Sequence, residues 1–190
     1  ITDKPVSAVI NTHWHDDHIL GNAVYAEAFP GVEFIAHRLA LTYLPTTGEA
    51  NRQGMLSGGK PFVAQIREAV AKGLNLGGKP ITDEERASYL ADIAQWEPYE
   101  RETPGVKIML PTTTVDDRLV LTRGTRTIEI RAIGRGHTAG DLVVYLPNEK
   151  IVAAGDLVIA PIPLVGGDQS YVGDWATTLD AGRDFTLDGH

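Results

Sequence analysis

The sequence predicts an α/β fold with a helical insertion, and three observations carry that reading. Residues 6 to 44 alternate strand-like and helix-like pieces, VSAVINT, NAVYAEAF and VEFIAH, which is a β-α-β rhythm. Residues 45 to 105 lose that rhythm and take up helical spacing between loose glycine pairs. From residue 106 onward short apolar runs return, separated by Pro, Gly, Asn and Asp turns.

The elements follow in order. In the insertion, Pro61 is expected to open a first helix carrying Phe62, Ile66, Val70 and Leu74 at near-helical spacing. Thr82 and Glu85 form a capping-box pattern for a second helix, Tyr89, Ile93 and Trp96 share one face, and Pro98 marks the expected end. Glycines 58, 59, 77 and 78 read as connections. The strand-rich part comprises VKIML, RLVLT, RTIEIRAI, DLVVYL and KIVAAG, a meander of sheet. A helical stretch over residues 175 to 184 precedes a last strand-like FTLD and the terminal His190.

Composition narrows the function classes. The 190 residues, 43% hydrophobic and 22% charged, suit a single domain over residues 1 to 190. A formal net charge of −8 disfavours nucleic acid, whose binding needs clustered Lys and Arg. No run reaches the roughly 18 apolar residues of a membrane span, and no leader-like pattern opens the chain. The expectation is therefore no membrane partner, with the compartment left open. Without cysteine, any metal must be held by imidazole and carboxylate.

The chemistry concentrates in THWHDDH, residues 12 to 18, with three imidazoles and two carboxylates in seven positions. On a helix, residues i and i+2 diverge by about 200°, so His13 and His15 converge only on an extended backbone. The run follows a strand and precedes a helix, at the carboxyl end of the strand where open α/β folds place ligands. Asp17 and His18 are neighbours whose side chains tend to diverge, so two adjacent ions accommodate the set better than one. His137 in GRGHTAGD, Asp156 after KIVAAG and His190 after FTLD add three more candidates at strand ends.

These motifs resemble the metallo-β-lactamase superfamily. HWHDDH fits its His-x-His-x-Asp-His signature, GHTAGDLVVYLP its third-histidine motif, AAGD its bridging-aspartate motif and LDGH its last-histidine motif, all in the family's order. The resemblance implies an αββα sandwich lacking its first strands and last element, so that the chain is a domain trimmed at both ends. It implies one metal on His13, His15 and His137, a second on Asp17, His18 and His190, and Asp156 bridging them. His37 is left to a structural or ligand-orienting role. Asp16 and Asp141 are turn residues or orient a ligating imidazole.

The implied enzyme is a dinuclear metallohydrolase with two Zn²⁺, Fe and Mn also suiting an all-nitrogen-and-oxygen site. Two ions about 3.5 to 4 Å apart share a hydroxide that attacks a small ester, thioester, lactone or lactam, and Asp17 orients its proton. No GxSxG elbow competes as a source of nucleophile. Asp at position 156 and Ile159 after it depart from the cysteine-type lactamases, which carry Cys and often a later Lys there. The bridging Asp is similar to that of glyoxalase II and lactonases. The alternatives are an iron-dependent sulfur dioxygenase and a non-catalytic metal-binding module of the same fold.

Overall fold

A computed structural model describes residues 3–160, 165 and 169–183. The chain divides into two compact units, one formed by Ile1–Thr46 with Ile108–His190 and the other by Thr47–Lys107. The second coincides with the expected insertion. Among the described residues no helix is long and apolar enough to cross a membrane.

The first unit holds two sheets. β1 (Ala8–Ile10), β2 (Glu33–His37) and β3 (Thr113–Val115) form a parallel sheet in that order. β4 (Arg118–Arg123), β5 (Arg126–Arg131), β6 (Val143–Leu146) and β7 (Ile151–Ala153) form an antiparallel meander. The period-2 alternation of strands decides what lies between the sheets. Ile35 and Val115 of the parallel sheet share one buried cluster with Ile130, Leu142 and the partly buried Val144.

The opposite faces bury against helices. On β2, Ala36 faces away from Ile35 and packs with Trp14, with Ile19 of α1 (Asp16–Ile19), with Ala40 of α3 (Ala40–Tyr43) and with Leu44. On β6, Val143 and Tyr145 pack with Trp175 of α6 (Val172–Gly182). α2 (Asn22–Ala28) completes the strand-helix-strand unit at the start of the chain. The layers are helix, sheet, sheet, helix, as the resemblance implied.

One expected strand differs. VKIML is not a strand; the third parallel strand is Thr113–Val115, where Thr112 N–H donates to Phe34 O at 2.8 Å and its hydroxyl accepts from Phe34 N–H. Pairing with a buried neighbour outweighed the apolar content of residues 106–110. FTLD and His190 lie outside the described residues.

The insertion consists of α4 (Glu49–Lys72) and α5 (Asp83–Glu102). Pro61 and Pro98 lie inside these helices rather than at their boundaries. Burial of Arg52, Val63 and Ile66 on α4 and Trp96 on α5 outweighs the local cost of proline. Gly59 is not a connector but a contact point: a Cβ there would lie 2.0 Å from the Trp96 ring. The capping box is present, with Glu85 N–H donating to Thr82 Oγ1 at 3.1 Å and Thr82 N–H to Glu85 Oε2 at 2.9 Å. Thr82→Ala should therefore cost about 1 kcal/mol of stability, read as a lower urea midpoint with an unchanged slope; an unchanged midpoint would show that the cap contributes nothing.

Candidate metal centre

The loop leaving β1 places the first histidines. Asn11 N–H still bonds Ile35 O at 2.9 Å, continuing the sheet; the chain then bends over residues 12–14 and is extended again at His15, with φ −69° and ψ 151°. His13 and His15 project to one side, and between them Trp14, 2% exposed, stacks on Tyr43 in the opposite direction with ring centroids 4.4 Å apart. The two rings converge, but on a backbone that bends at residues 12–14 rather than on the continuously extended one expected from the sequence. Leu142 N–H donates to Thr12 O at 2.8 Å, so the loop is tied to the segment that carries His137.

His137 sits in the turn between β5 and β6, fully buried, and Asp141 organises that turn. The Asp141 carboxylate accepts from Gly136 N–H at 3.1 Å, from Thr138 N–H at 2.9 Å and from the Thr138 hydroxyl at 2.5 Å. Burial pushes the Asp141 carboxyl up from its ordinary range, and the Thr138 donors pull it back. The entry to α6 supports the other side: Ser170 hydroxyl donates to His137 O at 3.0 Å and Tyr171 N–H to Gly136 O at 2.7 Å. Of the two ways the sequence allows Asp141 to act, the structure shows it shaping the backbone around a candidate ligand.

Three ring nitrogens converge. His13 Nε2 lies 3.1 Å from His15 Nδ1, and His137 Nε2 lies 2.9 Å from that same atom. A second group joins His13, His18 and Asp156, with Asp156 Oδ1 3.3 Å from His18 Nε2 and Asp156 Oδ2 3.5 Å from His137 Nε2. One carboxylate thus reaches a member of each group. Asp17 lies at the rim, its side chain 78% exposed and its Oδ2 3.3 Å from His18 Nε2. It belongs to neither convergent group among the described residues, and the expected role of His190 falls outside them.

Burial, then the neighbouring His18, His15 and His137, pushes His13 down to about 2, and burial also lowers His15. Both shifts favour the unprotonated ring, the state in which imidazole binds a metal. His18 is raised, chiefly by its hydrogen bond with Asp17, and Asp17 is in turn pulled down to about 2. His37 ends β2, where its Nδ1 accepts from Leu39 N–H at 3.1 Å, in keeping with a structural role.

Gly155 brings Asp156 into place. Its φ is +54°, and a Cβ there would lie 2.5 Å from Thr12 Oγ1, so only glycine allows the chain leaving β7 to approach the loop leaving β1. In the sequence this residue reads as part of a turn; its close approach depends on Thr12, a neighbour remote along the chain. Asn11 and Asn22, both buried, escape sequence reasoning as well: each looks like an ordinary polar residue flanking a motif.

The donor set is chemically suited to a metal. Three imidazoles face one another at hydrogen-bonding distance with one ring nitrogen shared between two others, and a carboxylate stands beside them. Hydrogen bonds alone satisfy such a set poorly, whereas a divalent cation would accept every lone pair.

Comparison with known proteins gives a consistent picture. A model of the family described as "Metallo-beta-lactamase superfamily" matches residues 1–188. A linear primary-alkylsulfatase from Pseudomonas sp. (strain ATCC 19151) is 24% identical over 202 residues, covering 99% of this chain and 34% of that protein. Among solved structures, a metallo-beta-lactamase from Pontibacter korlensis superposes with a TM-score of 0.57 at 18% identity, over 97% of this chain and 59% of that one. A metallo-beta-lactamase family protein from Thermus thermophilus gives 0.54 at 16% identity, over 95% and 52%. The chain therefore spans about a third of the curated relative and little more than half of these structures.

Proposed function

Because the chain belongs to the metallo-beta-lactamase superfamily, with a metal-binding hydrolase-type fold, we propose that it is the catalytic core of a dinuclear zinc hydrolase acting on a small ester-type substrate. The observation that carries this reading is the position of Asp156, which touches His18 on one side and His137 on the other. His13, His15 and His137 would hold one ion, Asp17, His18 and His190 the other, and Asp156 both. When bound, the ions supply Lewis acidity and a water ionised near neutral pH.

The chain's own residues do the remaining work. Asp141 and the entry of α6 hold His137 in its turn, Gly155 delivers Asp156, and the bent loop leaving β1 brings His13 and His15 together. Asp17, ionised and exposed at the rim, orients a proton at its Oδ2 while keeping His18 in line. Esters, thioesters, lactones and lactams remain the substrate set, and the alkylsulfatase relative adds alkyl sulfate esters to it.

The test is metal analysis of the purified intact protein combined with turnover of lactoylglutathione, a homoserine lactone, nitrocefin and dodecyl sulfate. The expected result is about two equivalents of zinc, loss of turnover on chelation and its return with zinc. Fewer than one equivalent after zinc loading, or turnover that survives chelation, would sink the reading.

A further inference from the structure

Two asparagines outside the ligand set form a reciprocal pair across the His-rich turn. Asn22 Nδ2 donates to Asn11 Oδ1 at 2.8 Å, and Asn11 Nδ2 donates to Asn22 Oδ1 at 3.3 Å. Asn11 is 7% exposed and Asn22 3%. Asn11 Nδ2 also donates to the His18 carbonyl at 2.8 Å. Buried amides hold their partners firmly because an unpaired polar group there is costly.

The positions of the two residues give the pair its leverage. Asn11 is fastened to the parallel sheet through its own N–H on Ile35 O, and Asn22 is the first residue of α2. Between them lies α1, only four residues long, which leaves its last carbonyls without helical donors. The Asn11 amide supplies a donor to one of these, and that carbonyl belongs to His18. His13 is set differently, by the bend that follows β1 and by Thr12 Oγ1 at 3.2 Å from its Nδ1.

We infer that the Asn11–Asn22 pair is a positioning latch for His18, which fixes the half of the metal centre shared by His18 and Asp156 while leaving the three-histidine half to other supports. This inference rests on the two-ion reading above for its metal consequence, but its structural consequence does not need metal. Support of a ligand from outside its coordination sphere is worth about 10- to 100-fold in metal affinity.

The experiment compares the intact protein with Asn11→Asp, which is nearly isosteric, keeps an acceptor for Asn22 and sets oxygen against the His18 carbonyl. Titration with Co²⁺, followed by visible absorption and calorimetry, should show a first equivalent within about threefold of wild type and a second weakened about 10- to 100-fold. In metal-free protein, amide exchange over residues 15–22 should quicken while that of Glu33–His37 stays unchanged. Equal weakening of both equivalents, unchanged exchange, or exchange that spreads into β2 would overturn the latch. Should Asn11→Asp fail to fold, Asn22→Ala, which removes only the partner amide, is judged by the same outcomes. Wild-type protein that holds fewer than two ions would refute the two-ion reading, and the exchange comparison would still decide the latch.

Discussion

Asp156→Ala is expected to reduce turnover by more than about 100-fold, since groups that merely support a ligand already cost 10- to 100-fold in metal affinity or activity. The carboxylate lies 3.3 Å from His18 Nε2 and 3.5 Å from His137 Nε2, so its removal takes a donor from both halves of the proposed centre at once. Its side chain is largely buried at the meeting point of β7 and the His-rich loop, but it carries little of the apolar core. Folding should therefore survive, and circular dichroism with metal analysis separates the effects: a native spectrum, less than two equivalents of zinc, and little turnover. Native metal content with full activity would remove Asp156 from the site.

Asp141→Ala is expected to have the largest effect on stability. The substitution strands the Thr138 N–H and the Thr138 hydroxyl, while Gly136 N–H keeps only its bond to Thr138 O, in a turn where Thr138 and His137 are 0% and 1% exposed. Each stranded buried donor costs about 1–3 kcal/mol. Allowing for partial relaxation, the loss is about 3–5 kcal/mol, which lowers Tm by roughly 6–20 °C for a chain of this size. Differential scanning calorimetry reads the shift, and zinc should recover part of it by binding the folded state. A Tm within about 2 °C of wild type would show that the Asp141 carboxylate contributes little to holding the turn.

The contrast between these two aspartates shows how much of the centre is legible in the sequence. Asp156 is readable because its chemistry is local: an ionisable side chain directly after a strand, in a chain whose other strand ends also carry candidate ligands. Asp141 is readable only as one of two options. Whether a carboxylate near a histidine touches the ring or shapes the backbone depends on how the turn closes, and GRGHTAGD permits either. Asn11, Asn22 and Gly155 carry no usable signal. An asparagine flanking a motif is ordinary, and Gly155 is required by the closeness of Thr12, a neighbour remote in sequence.

The insertion shows the same division. The Thr82 and Glu85 box is a contact between residues three apart, and the sequence pattern is enough to anticipate it. Pro61 and Pro98 look like boundaries because proline breaks an isolated helix. In the folded unit, the burial of Val63, Ile66 and Trp96, and the approach of Trp96 to Gly59, outweighs that penalty.

The sequence by itself determined the α/β class and the sequential order of the antiparallel meander, because strand periodicity is a property of the backbone alone; it grouped His13 and His15 as candidates, but not the bend at residues 12–14 on which they converge. It also excluded thiolate ligands, since the chain has no cysteine. Only the tertiary structure decided that Asp156 stands between His18 and His137, that Asp141 clamps the turn of His137, and that two buried amides hold His18. The first is a distance between segments remote along the chain, set by packing; the other two depend on how a short turn closes and buries its polar groups, which GRGHTAGD and the His-rich run each leave open.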